Sequence, residues 1–164
     1  EVLLASPLPP ILVIVAKAVP YLLLSVVNVA TILALSVGLL KLPIAGSLAL
    51  LIAESILFII TALSLGLLIS SITASQQVAM MISLVGMFLP TLMLSGFMFP
   101  VEIMPLPLQV ISRIIPATWY YKIVRDIMIK GLDFADVWQP TLILFIMTIV
   151  LITISLKKFK TRLG

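Results

Sequence analysis

SGFMFPVEIMPLPLQ, residues 95–109, is the stretch on which the fold turns. An apolar run long enough to cross a bilayer leads into it. Gly96, Pro100, Pro105 and Pro107 then interrupt a series of Phe, Met, Ile and Leu. Proline has no N–H and disfavours a helical predecessor, so one continuous helix cannot pass through. The segment is also too apolar for a soluble loop. Irregular backbone at membrane depth is tolerated only where protein buries it or a water-filled cavity faces it. The stretch therefore reads as a passage that enters the membrane zone without crossing it.

Downstream, Leu108, Ile111 and Ile115 fall on one helical stripe, with Gln109, Ser112 and Arg113 on the other side. Pro116 stops that piece. Thr118 is expected to cap a second helix that runs through WYYKIVRDIMIK and ends at Gly131. On it, Lys122, Asp126 and Lys130 fall four apart with Arg125 beside them, pairs that contribute about 0.2–0.5 kcal/mol each. Neither piece is long enough to span. The spacing predicts a helical hairpin within residues 97–136, lying on the bilayer surface or dipping into it. It serves either as an interfacial anchor or as part of a pathway.

The rest of the chain supplies the membrane around that hairpin. Of its 164 residues, 63% are hydrophobic and 10% charged, with mean hydropathy +1.37. Soluble domains average about 45–50% apolar and about 25% charged, so the bilayer is the natural solvent here. A helix needs about 20 mostly apolar residues to cross it. Spans are expected at about 14–39, 48–69, 75–96 and 138–156, giving an all-α polytopic bundle of four transmembrane helices plus the hairpin. Pro20 and Pro90 are expected to kink their spans. KLPIAGS (41–47) is a tight connection, and Thr73 with Gln76 reads as a capping box that opens the third span. Ala62, Gly66 and Ser70 form a small-residue stripe, for packing within the chain or between subunits. Trp119, Tyr120, Tyr121 and Trp138 suit the headgroup layer.

Several functions are excluded. There is no Cys and no His, which removes disulfides, thiol nucleophiles and imidazole chemistry. No phosphate-cradling Gly-Lys loop is present, and the acids lack metal-ligand spacing, so catalytic, cofactor and metal sites are all expected to be absent. The net charge of +4 comes from the tail KKFKTRLG (157–164), which suits a cytosolic stop or contact with anionic membrane lipids. No basic face on a polar module points to nucleic acid. Lys17 and the tail give five cations to one side; Lys41, Arg113, Lys122, Arg125 and Lys130 give five to the other. Charge alone leaves the orientation open, and the undiluted tail favours termini inside. Glu1 is no initiator, no signal peptide follows it, and the start reads like the middle of a longer protein.

Within the spans, Asn28 suits a helix–helix hydrogen bond. Glu54 is either a structural acid, shallow, protonated or paired with Lys41, or a substrate or proton site. Lys17 is either a snorkelling anchor or near a coupling segment. Glu102, between Pro100 and Pro105, either caps backbone N–H groups or forms part of a gate.

Three stretches carry a resemblance: LLASPLPP with the following AKAVPY, SITASQQVAMM, and SGFMFPVEIMPLPLQVISRIIPATWYYKIVRDIMIKG. Together they resemble the permeases of ABC-2 type exporters, and the SGFMFP-x-E-x-MP block is the most specific part. The resemblance implies a six-span subunit of which this chain is the carboxyl-terminal part, spans three to six. It implies a second permease copy or homologue as dimer partner, and cytosolic ATP-binding cassette ATPase subunits beneath. Residues 1–10 would be the end of the coupling segment, with Glu1, Ser6, Pro7 and Lys17 as candidate coupling residues. The hairpin would sit in the outer leaflet, with Gly96, Pro100, Glu102, Pro105 and Pro116 as a candidate outer gate, and both ends would be cytoplasmic in the inner (plasma) membrane. The expected function is efflux of an unidentified substrate, driven by ATP hydrolysis on a separate subunit. An intramembrane lipid-modifying enzyme and a passive structural subunit are the alternatives.

Overall fold

The computed structural model describes residues 9–163; Glu1, Ser6 and Pro7 lie outside the described residues. Four helices are long and apolar enough to cross a membrane: Ile11–Gly38, Leu48–Ile72, Gln76–Leu94 and Phe134–Lys160. No strand occurs among the described residues.

Helix α1 (Pro10–Gly38) starts where the prolines allow it. Pro9 is extended, and Pro10 takes the first turn, where its missing N–H costs nothing. The helix then continues through Pro20 to Gly38. Lys41, at φ 50°, turns the chain into the connector. Helix α2 (Leu48–Ile72) opens on Ser47, whose hydroxyl accepts the Leu50 N–H at 3.4 Å. It closes at Thr73, whose hydroxyl donates back to the Ile69 carbonyl at 2.8 Å.

Thr73 therefore ends one helix and does not start the next, contrary to the expected capping box. Helix α3 (Gln76–Met81) begins one residue after Ser75, which accepts the Val78 N–H at 3.3 Å. Ile82–Phe88 then widens into a π-turn, with Leu89 N–H reaching the Leu84 carbonyl, before α4 (Leu89–Leu94) completes the crossing. Pro90 explains the widening. It offers no N–H to the carbonyl four residues earlier, and its ring crowds that carbonyl.

A short 3-10 turn (Val101–Ile103) leads to the hairpin, α5 (Leu106–Ile114) and α6 (Pro116–Met128). Pro116, not Thr118, sets the start of α6. Its fixed φ suits the first helical position, and no side chain caps that end. Thr118 instead lies 3.3 Å from the Ser112 hydroxyl, bridging the two helices. Helix α7 (Phe134–Leu163) ends the described chain.

The core lies where α6 packs onto α2 and α7. Leu51, Ile123, Ile127, Val137 and Leu144 form one buried cluster there. Helices α2 and α7 run parallel, since Glu54 meets Thr141, Thr61 meets Thr148 and Ser64 meets Ser155. Two parallel spans need a return crossing between them, which α3–α4 provides. The hairpin and the 39–47 connector therefore share one end of the bundle. There the Ala45 N–H donates to the Met128 carbonyl at 3.1 Å. Gly46 makes that approach possible, because a Cβ on it would stand 2.7 Å from the Ile127 carbonyl oxygen. At the other end, the first half of α1 lines a groove with Leu67 of α2 and Leu156 of α7, so the two described chain ends lie together.

Burial is inverted relative to a soluble protein. Ten polar or charged residues are buried among the described residues, against eight apolar ones, while dozens of large apolar side chains face outward. In lipid, small and polar groups favour helix contacts and apolar groups gain nothing by turning inward.

Candidate functional site

Glu54 sits in the seam between α2 and α7, only 3% exposed. Its Oε1 accepts a hydrogen bond from the Thr141 hydroxyl at 2.7 Å, and its Oε2 has no protein partner. Thr141 has one proton and two acceptors, since the Val137 carbonyl lies 2.8 Å from the same hydroxyl. Among the described residues no cation pairs with Glu54, and Lys41 is exposed in the connector, so the alternative of pairing with Lys41 is not realised. One residue on, the Ser55 hydroxyl lies 2.8 Å from the Tyr120 hydroxyl and donates to the Leu51 carbonyl at 2.7 Å. Tyr120 stacks on Phe58 with centroids 4.3 Å apart. Burial pushes the Tyr120 phenol above its ordinary range; the Ser55 hydrogen bond opposes this and nearby Glu54 adds to it. A polar seam thus ties the inner face of the hairpin to two spanning helices.

The outer face of the same hairpin is open. A cleft of about 300 Å³ lies between residues 95–102 and α5–α6. It brings together Gly96, Pro100 and Glu102 with Arg113, Lys122 and Arg125. Four side-chain contacts fix its walls. Ser112 donates to the Leu94 carbonyl at 2.6 Å, and Gln109 Nε2 donates to the Met104 carbonyl at 2.9 Å. Trp119 Nε1 donates to the Arg113 carbonyl at 2.8 Å, and Tyr121 meets Phe97 edge-on with centroids 6.3 Å apart. Gly96 has φ +90°, a conformation that L side chains rarely adopt, and it turns the chain out of the third span. Glu102 lies exposed in the 3-10 turn; its carboxylate makes no hydrogen bond, and its carbonyl accepts Gln109 Nε2 at 3.5 Å. Pro105 precedes α5 and Pro116 opens α6.

The sequence did not single out most of these partners. Gln109 and Ser112 give no signal apart from a polar stripe, and these two turn inward onto protein while Arg113, Leu108 and Ile111 stay exposed; Thr118 reads as a cap and not as a bridge. Asp126 reads as one member of a solvated charge row. It is buried to 6% exposure and pairs with Lys130 at 2.7 Å, with Arg125 Nε at 3.9 Å. Lys17 is exposed on α1. Asn28, expected to bond another helix, is exposed and makes no hydrogen bond among the described residues. Ala62, Gly66 and Ser70 are exposed among the described residues, while α7 occupies the Glu54–Thr61–Ser64 face of the same helix.

A family profile described as "ABC-2 family transporter protein" matches residues 1–157. Among curated proteins, the chain is 34% identical over 131 residues to "Probable multidrug ABC transporter permease YbhS" of Escherichia coli, covering 80% of this chain and 35% of that protein. It is 34% identical over 149 residues to "Probable multidrug ABC transporter permease YbhR" of the same organism, covering 89% and 39%. It is 31% identical over 166 residues to "Inner membrane transport permease YhhJ", covering 100% and 44%. The chain thus spans well under half the length of these relatives. No solved structure matches it.

Proposed function

Starting from the fact that the chain belongs to the ABC-2 family of transporter proteins, we propose that it is the carboxyl-terminal membrane-spanning part of an exporter permease. A separate ATP-binding cassette ATPase would drive it, and it would work beside a second permease copy or homologue in the inner membrane. The hairpin end is outer, and residue 9 and the tail are cytosolic. The basic tail supports this orientation, as does the placement of both described ends at the opposite end from the hairpin. The relatives' names support a transport role and leave the substrate open.

The observation that carries the reading is the seating of α6 on both α2 and α7. The gate hairpin is joined to two parallel spans, so a tilt of either span at the cytosolic side moves the outer end. Export requires two such arrangements with different affinity for the substrate. Gly96, Pro100, Glu102, Pro105 and Pro116 shape the outer gate in this reading, and Glu54 and Asn28 are the polar points at membrane depth. Asn28 and the outward Ala62 and Gly66 would face the second permease, where a small or polar residue favours close helix approach. Glu1, Ser6, Pro7 and Lys17 would receive the push from the ATPase.

The test is made in the full permease assembled with its ATPase. Replacing residues 1–7 should leave ATP hydrolysis running while export falls to background. Normal export after that replacement would overturn the coupling assignment.

A further inference from the structure

We infer that the cleft between residues 95–102 and the α5–α6 hairpin binds the phosphate of an anionic lipid headgroup. Arg113, Lys122 and Arg125 line it against a single acid, Glu102. That acid neutralises none of them, since the only ion pairs of the hairpin run to Asp126. Asp126 lies 2.7 Å from Lys130 and only 3.9 Å from Arg125, so its charge is already engaged. Among the described residues, Arg113 and Lys122 make no ion pair, and Arg125 Nε is buried without a hydrogen-bond partner. Two guanidinium forks and an ammonium around one cleft match the geometry and charge of a phosphate.

The setting makes that phosphate a lipid's. Phe97, Ile103, Leu106 and Ile114 are 67%, 71%, 77% and 68% exposed around the hairpin, which suits hydrocarbon and not water. Trp119 and Tyr121 line the cleft itself, as rings do at headgroup level. Other residues of the same 94–104 segment line a separate apolar groove of about 570 Å³ against the third span and α5, together with Leu89, Met93 and Leu108. This segment thus borders both a cleft whose cations come from α5 and α6, for a headgroup, and an apolar groove, for an acyl chain. Basic pockets at membrane interfaces are a recognised means of selecting anionic lipids. The inference rests on the membrane-spanning fold and is independent of whether the chain exports anything.

The experiment uses the full permease in nanodiscs of phosphatidylcholine with and without phosphatidylglycerol, with retained lipid counted by native mass spectrometry. The wild-type protein should retain phosphatidylglycerol in preference to phosphatidylcholine. Arg113→Gln and Lys122→Gln should each weaken that retention about fivefold. Glu102→Gln removes the opposing charge and should strengthen it, a gain that misfolding cannot imitate. Equal retention of the two lipids by the wild-type protein, or no change in any of the three variants, would overturn the inference. Inorganic phosphate supplied alone separates the sources. If it occupies the cleft as tightly as the lipid does, the site belongs to a soluble anion and the lipid assignment fails.

Discussion

Two halves of the molecule use hydrophobic residues in opposite ways. In the 18-residue apolar windows of α2 and α7, 33% and 17% of residues are buried, whereas in those of α1 and the third crossing none is. All four are similarly apolar, so hydrophobicity does not separate them. Chemistry on one face does: α2 carries Glu54, Ser55, Thr61 and Ser64 inward, and α7 answers with Thr141, Thr148 and Ser155. The seven-residue step shared by Glu54–Thr61 and Thr141–Thr148–Ser155 keeps these positions on one seam. Between helices in lipid, burial of oily surface adds no driving force, and close packing with shared hydrogen bonds decides who meets whom.

The largest expected effect tests that division directly. Ile123 is fully buried where α6 meets α2 and α7, and Leu24 is 62% exposed on α1. Ile123→Ala should destabilise the protein by about 2 kcal/mol or more, through lost packing and the cavity left behind. Leu24→Ala should change stability by less than about 0.5 kcal/mol. Unfolding titrations in mixed micelles measure both. A loss at Leu24 as large as that at Ile123 would break the comparison by showing that α1 is packed as tightly as the rest.

Next comes the joint between the halves. The connector from α1 docks on α6 through Ala45 and Gly46, and the Ile127 carbonyl leaves no room for a side chain at Gly46. Gly46→Val should cost about 1–3 kcal/mol, as overpacking does. Cysteine pairs placed at residues 44 and 128 should then cross-link more slowly than in the parent. Unchanged stability with unchanged cross-linking would show that the halves are not locked at this joint.

What the sequence disclosed follows the same line. The four crossings were legible because length and apolar content are read along the chain, and the hairpin was legible because prolines act on their own neighbours. Its orientation on the protein was not, since a stripe of Gln109 and Ser112 in water faces out and here faces Met104 and Leu94. The partner of Glu54 lies 87 residues away on α7, beyond any local pattern. The cleft is likewise assembled in space: Glu102 comes from the break and Arg113, Lys122 and Arg125 from two separate helices. Thr118 and Thr73 show a different limit. Each has the chemistry of a helix cap, and in each case a neighbour two or three residues away, Ser75 or Ile115, holds the position that the backbone requires.

The Tyr120 contact is expected to matter less, and only for the packed half. Its phenol is favoured in the neutral form when folded, because burial opposes the phenolate. The raised value means that this contribution is complete below about pH 10 and is lost as pH climbs through the folded value. Tyr120→Phe should cost about 1 kcal/mol at neutral pH, one hydrogen bond to Ser55, and should flatten the alkaline fall in stability. An equally steep fall in Tyr120→Phe would place the alkaline sensitivity elsewhere.

The smallest effect asks whether the polar seam acts as glue or simply fits. Thr61 and Thr148 share a short hydroxyl contact deep between α2 and α7, and each hydroxyl also lies 2.8 Å from a carbonyl of its own helix, Leu57 and Leu144; with two protons for three contacts, one threonine donates across and the other to its own helix. Both local bonds are available when α2 and α7 separate, so the helices do not lose all hydroxyl bonding on parting. The contact between them should therefore be worth only about 0.6 kcal/mol. Valine keeps the shape while removing the hydroxyl, so Thr61→Val, Thr148→Val and the pair form a double-mutant cycle that isolates this term. A coupling above about 1.7 kcal/mol would make the hydrogen bond the main reason why α2 chooses α7. A coupling near zero would leave that choice to the small size of the buried residues, which is also what distinguishes this seam from the bulky, outward faces of α1 and the third crossing.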